Sequence, residues 1–200
     1  MKKIGLYFMV FLVSMISVSA LTVVSDETNE YYDGENWVNA VAAWIHPQWV
    51  INVNIPGATW IWSAYQVSVD EAVNGADYVF RKQFDVPECA TNLVGTIHIT
   101  TDNSYNLYLN DVWVGSSGNW QNVESYDISS LLSIGTNTIK VEATNAGLNG
   151  GTPTSNPGGL IYSAEISYDG CEGNDVPEFG LIGAALVVAG ALGFIVFRKK

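Results

Sequence analysis

The sequence predicts an all-β protein, an antiparallel β-sandwich, followed by one C-terminal transmembrane helix. Three observations carry this. Between residues 21 and 178 no long stretch keeps a 3.6-residue apolar period, and period-two alternation takes its place. Clusters of Gly, Asn, Asp and Pro separate the alternating runs, as tight connections between short strands require. The two continuous apolar stretches lie at the chain ends, outside the alternating region.

The alternation can be followed run by run. Tyr78, Phe80, Phe84 and Val86 share one parity, with Arg81, Gln83 and Asp85 on the other. Lys82 breaks the apolar parity, which marks a bulge, an edge or a snorkelling stem. Leu93, Gly95, Ile97 and Ile99 alternate with Val94, Thr96, His98 and Thr100. Ile139, Val141 and Ala143 alternate with Lys140, Glu142 and Thr144, and Tyr162, Ala164, Ile166 and Tyr168 with Ser163, Glu165 and Ser167. Only 127–132 reads as helical, a single turn with Asp127 as its N-cap. Asn110-Asp111 reads as a two-residue I′ turn, because both residue types tolerate positive φ. That register pairs Leu109 with Val112, Tyr108 with Trp113 and Leu107 with Val114. It puts Tyr108 and Trp113 together on one face, which meets either water or an overlying loop.

The ends read as topology signals. Lys2 and Lys3 precede an apolar stretch, and Val18-Ser19-Ala20 supplies the small residues of a cleavage site, so residues 1–20 are expected to be a secretory signal peptide. Residues 21–34 follow as an N-terminal extension, 35–171 as the sandwich and 172–178 as a linker. The uncharged segment 179–197 is long enough, at about 1.5 Å per residue, to cross nearly all of a ~30 Å hydrocarbon core. The basic tail 198–200 should stay cytoplasmic, leaving the middle outside as a cell-surface domain.

Removing these ends changes the charge. The 8 bases and 20 acids of the chain sum to −12, yet residues 21–178 hold all the acids and only Arg81, Lys82 and Lys140, a net −17. Such a field disfavours nucleic acid, whose phosphates need clustered bases. Cys89 and Cys171, the only cysteines, both fall in the exported part, where an oxidising exterior favours pairing over two buried thiols.

The stretches 76–87 (ADYVFRKQFDVP), 95–115 (GTIHITTDNSYNLYLNDVWVG), 125–147 (SYDISSLLSIGTNTIKVEATNAG) and 156–170 (NPGGLIYSAEISYDG) follow one another in an order that resembles the galactose-binding-like jelly-roll domain. The resemblance covers about residues 35–170 and implies an accessory sandwich with a binding role. It transfers no catalytic residues, and it leaves a structural calcium open. The hairpin departs from the family's usual Asn-Gly in having Asn110-Asp111. Separately, Pro177-Glu178-Phe179 followed by the apolar segment and basic tail resembles a PEF-CTERM sorting signal of archaeal surface proteins. That resemblance implies an archaeosortase-type enzyme as a processing partner and a lipid in place of the helix; the alternative is a plain one-pass anchor.

Candidate chemistry is sparse. His46 and His98 have no second ligand at zinc spacing, and no D-x-D-x-D-G loop is present, so no metal or other cofactor is expected beyond that calcium. Asp102-Asn103 reads as an Asx turn at a strand corner. The acid pairs Asp70/Glu71, Asp85/Glu88 and Glu124/Asp127 read as solvated side chains, and the glycine-rich stretch 147–159 as a rim loop without phosphate chemistry. No catalytic residue is assigned and no enzyme is expected. Most of the seven tryptophans should be core, and Trp60 and Trp62 share a parity. Tyr108 and Trp113 are the candidates for a platform that stacks on sugar rings. The expected function is carbohydrate binding or adhesion at the cell surface, with a structural envelope component as the alternative.

Overall fold

A computed structural model describes residues 18–171. Residues 1–17, the Pro177-Glu178-Phe179 motif, the segment 179–197 and the basic tail lie outside this range. Among the described residues no helix is long and apolar enough to cross a membrane.

Twelve strands and two short helices follow in chain order: β1 (Val18–Val24), β2 (Glu30–Tyr32), β3 (Trp37–Asn39), β4 (Val41–Ala42), α1 (Pro47–Asn52), β5 (Ile61–Trp62), α2 (Val69–Asn74), β6 (Gly75–Val86), β7 (Thr91–Asp102), β8 (Ser104–Leu109), β9 (Val112–Ser117), β10 (Glu124–Asp127), β11 (Gly135–Ala146) and β12 (Gly159–Asp169). They form two six-stranded antiparallel sheets. The first runs β10-β7-β12-β5-β4, with β1 also on β12; the second runs β3-β2-β6-β11-β8-β9. The stretch 21–34, read from sequence as an extension, thus supplies part of β1 and all of β2, and Val18–Ala20 pair with Ser167–Asp169.

Alternation sets the inner faces. Phe80, Phe84 and Val86 of β6 and Ile139, Val141 and Ala143 of β11 are buried, and β6 and β11 pair along all of their length. Opposite them Ile97 and Ile99 of β7 and Tyr162, Ala164 and Ile166 of β12 close a single core. Full burial of a side chain such as Phe80 contributes about 2–3 kcal/mol. Lys82 sits on this inner parity, and its Nζ reaches out to donate to Val24 O at 2.8 Å and Asp26 Oδ1 at 2.7 Å. The snorkelling stem, of the three sequence options, is the one realised.

Several expectations are corrected. The hairpin turn forms as read, with positive φ at Asn110 (53°) and Asp111 (63°), and Tyr108 pairs with Trp113. Leu107, however, pairs with Gly115 and not Val114, because the register shifts between Leu107 and Tyr108. The absence of a Cβ at Gly115 lets the Tyr126 ring lie directly against it. Val112, opposite the buried Leu109 on the edge strand, is 49% exposed. The expected helical turn is a 3₁₀ turn over Ser129–Leu131 whose N-cap is Ile128 and not Asp127, although Asp127 Oδ1 accepts the Ser129 N–H at 2.9 Å. Helices α1 and α2 were not read from sequence, since six residues are too few to display a period. Their end signals are present: His46 accepts from Gln48 N, Ser68 Oγ accepts from Glu71 N, and Gly75 caps α2 at φ 85°.

Asp102 and Asn103 make no local Asx turn. The Asp102 carboxylate accepts from Trp49 Nε1 at 3.0 Å inside the sandwich, and Asn103 Oδ1 accepts from Ala146 N at 2.6 Å across to β11. Cys89, in the β6–β7 connection, is bonded to Cys171 just after β12, a closure over 82 residues. In the chain-entropy account a loop of that size contributes about 4 kcal/mol.

Candidate functional site

Strand pairing in the second sheet lines up six residues on adjacent strands: Asn39, Glu30, Arg81, Lys140, Tyr108 and Trp113. Directly opposed residues share a face, and the chain neighbours Phe80, Val141, Leu107 and Leu109 are buried, so this row looks away from the core. It crosses the sheet from one edge strand, β3, to the other, β9.

The row is built from interlocked pairs. The Arg81 guanidinium lies 3.9 Å from the centroid of the Trp37 ring, and its Nε donates to Glu30 Oε2 at 2.7 Å. The side chains of this ion pair are 31% and 38% exposed, so it contributes at most about 1 kcal/mol; its effect is to orient the guanidinium. Lys140 Nζ sits 4.4 Å from the centroid of the Tyr108 ring and 3.4 Å from Asp111 Oδ1. The Tyr108 hydroxyl donates to Glu142 Oε2 at 3.1 Å, and desolvation together with that carboxylate pushes the phenol's pKa up. Trp113 stands apart from these pairs and is 59% exposed. Beside the row a depression of about 520 Å³ is lined by Trp37, Arg81, Gln83, Thr138, Lys140 and the Asn110-Asp111 turn.

Of the two platform residues read from sequence, Trp113 is therefore the open ring, while Tyr108 is half-buried beneath the Lys140 ammonium. Trp37, Arg81 and Lys140 were missed. Their outward parity was legible for Arg81 and Lys140, but nothing local says that β6 and β11 lie side by side in this register. The remaining tryptophans mostly enter the core: Trp49 stacks on Trp60 at 4.2 Å between centroids, and Trp62 donates to Glu71 Oε1 at 2.6 Å.

The other flagged residues have structural partners. Asp70 accepts from Asn74, Asp85 from Thr136, and Asp127 from Ser129, while Glu71 is buried against Trp62. His98 meets Ser125 Oγ at 2.7 Å on the outer side of the first sheet. Among the described residues no three His, Cys, Asp or Glu side chains gather as metal ligands would. The glycine-rich loop is tied down by Asn156, whose Nδ2 donates to Ala72 O and Ala146 O at 2.9 and 2.8 Å.

No protein-family model matches the chain, and no curated protein does. Solved structures do. A Bacteroides fragilis protein assigned as a beta-galactosidase aligns at a TM-score of 0.50 and 13% identity over 73% of this chain and 23% of its own. That level of likeness is one of fold, the β-sandwich. A glycosyl hydrolase family 2 member from Bacteroides cellulosilyticus aligns at 0.47 and 18% identity, covering 72% of this chain and 20% of its own. A GH78 family rhamnosidase of Bacillus sp. GL1 aligns at 0.44 and 32% identity, covering 57% and 12%. The chain thus spans between 12% and 23% of the length of these larger proteins.

Proposed function

We propose that this chain is an exported, C-terminally anchored surface protein whose galactose-binding-like jelly roll binds carbohydrate without catalysing its turnover. The observation that carries the reading is Trp113, a large flat ring left 59% exposed on a sheet face already furnished with Tyr108, Lys140 and Arg81. Burying an indole face against the apolar face of a sugar, with charged and amide groups beside it for the hydroxyls, is the usual division of labour in a ligand site. The fold shared with a domain of a glycoside hydrolase is compatible with this role. Anchoring rests on the apolar segment 179–197 and the basic residues after it, and the sorting reading on Pro177-Glu178-Phe179. The test is retention of the protein on a panel of insoluble and immobilised polysaccharides. Wild-type protein is retained on at least one, and Trp113→Ala loses at least about tenfold in affinity with an unchanged melting temperature. Retention on none of them, or equal retention of the variant, refutes the reading.

A further inference from the structure

Taking the carbohydrate reading as its premise, we infer that the outer face of the second sheet takes the interior of an uncharged polysaccharide chain, laid across the strands between Trp37 and Trp113. Three observations converge on this occupant.

The first is direction. Arg81, Lys140, Tyr108 and Trp113 occupy four adjacent strands, and at about 4.8 Å per strand they span roughly 14 Å perpendicular to the strands. The Trp37 indole sits over Arg81 at one end of this span, and Trp113 stands exposed at the other. Two aromatic rings separated by several sugar widths describe a chain of rings, not a single one. Gln83, Thr138 and Lys140 line the depression beside this row, offering an amide, a hydroxyl and an ammonium to sugar hydroxyls.

The second is openness. The row runs from edge strand to edge strand, and among the described residues no strand lies beyond β9, which carries Trp113. A ligand lying along the row can therefore continue past the sheet, so recognition does not require a chain end.

The third is charge. Each base on this face already faces an acid: Arg81 with Glu30 at 2.7 Å, and Lys140 with Asp111 at 3.4 Å. Glu142 adds a further carboxylate, engaged by the Tyr108 hydroxyl. Asp77 and Asp85 share the outward parity of Arg81 on β6, where they accept from Thr144 and Thr136. Two bases against five acids, within a region of net charge −17, leave no positive field for a polyanion. A neutral chain encounters hydrogen-bonding groups held in place by their own pairs.

The experiment titrates the full chain in detergent with neutral oligosaccharides cut from whichever of mannan, xylan, galactan or glucan retains it, from disaccharide to octasaccharide, with polygalacturonate as the acidic comparator. Affinity should rise at least about tenfold between the disaccharide and the longer oligosaccharides and then level off. Reducing or capping the chain ends should change it by less than about twofold. Trp37→Ala should abolish the gain in affinity with length. Gln83→Ala, at an exposed site, should diminish the gain in the same way and guards against a folding defect in the first variant. Affinity independent of length, strict dependence on a free chain end, tighter binding of polygalacturonate, or wild-type length dependence in both variants would each overturn the inference while leaving carbohydrate binding intact. Retention on no polysaccharide at all removes the carbohydrate reading itself and this inference with it.

Discussion

Replacing Asp102 by Asn should shift the stability of this protein relative to wild type by an amount that grows as pH rises. Asp102 is 7% exposed, at the end of β7, and one carboxylate oxygen accepts from the fully buried Trp49 indole at 3.0 Å. Burial pushes the carboxyl up from 3.8 to about 6, with the Trp49 N–H only partly opposing it. The folded state thus holds this proton more tightly than the unfolded chain. Its favourable contribution is complete below about pH 4 and is lost as pH rises through 6. Above that, ionisation in the folded protein costs up to about 3 kcal/mol, at about 1.4 kcal/mol for each tenfold change in proton affinity. Asn keeps an acceptor for Trp49 and cannot ionise. Its new N–H₂, if left without a partner, would subtract about 1–3 kcal/mol at every pH. The decisive quantity is therefore the slope: urea unfolding at about pH 4.5, 6 and 8 should show Asp102→Asn gaining roughly 2 kcal/mol relative to wild type across that range. Two parallel stability curves would refute the assignment of an ionising, buried Asp102.

Two further outcomes test the packing. Cys89→Ser with Cys171→Ser should lower stability by about 4 kcal/mol, and reduction of the wild type should reproduce most of that loss; non-reducing mass analysis should find the bond intact beforehand. Gly115→Ala drives a methyl into the Tyr126 ring and should cost about 1–3 kcal/mol, readable as a lowered melting temperature. Tyr126→Leu in the same chain should recover part of it, whereas additive losses would show that the two positions do not collide.

Much of the architecture was legible because a strand's two faces are a local property. Alternation identified the inner residues of β6, β7, β11 and β12 before any pairing was known, and the Asn110-Asp111 turn located Tyr108 opposite Trp113. The bulge one step further left no mark in the alternation, and the Tyr126 ring that β10 lays over Gly115 is placed only by the fold. Short helices escaped for a different reason: α1 and α2 are held by caps and by the burial of Trp49 and Ala72, not by a period of their own.

For this protein, then, the amino-acid order by itself determined strand parity, the hairpin turn, the cysteine pair and the separation of an acidic middle from apolar ends. Each follows from neighbours in sequence or from composition. Tertiary structure alone decided which rings stay open and which acids are buried. Trp49, Trp62 and Trp113 look alike in the sequence, but the first two meet Asp102 and Glu71 inside the sandwich, while the third ends on an edge strand facing outward. Similarly, Arg81 and Lys140 stand 59 positions apart and become neighbours of Tyr108 only through the pairing of β6, β11 and β8. That register is set by burying Phe80, Val141 and Leu107 together, so the arrangement of the outer face is fixed by the packing of the inner one.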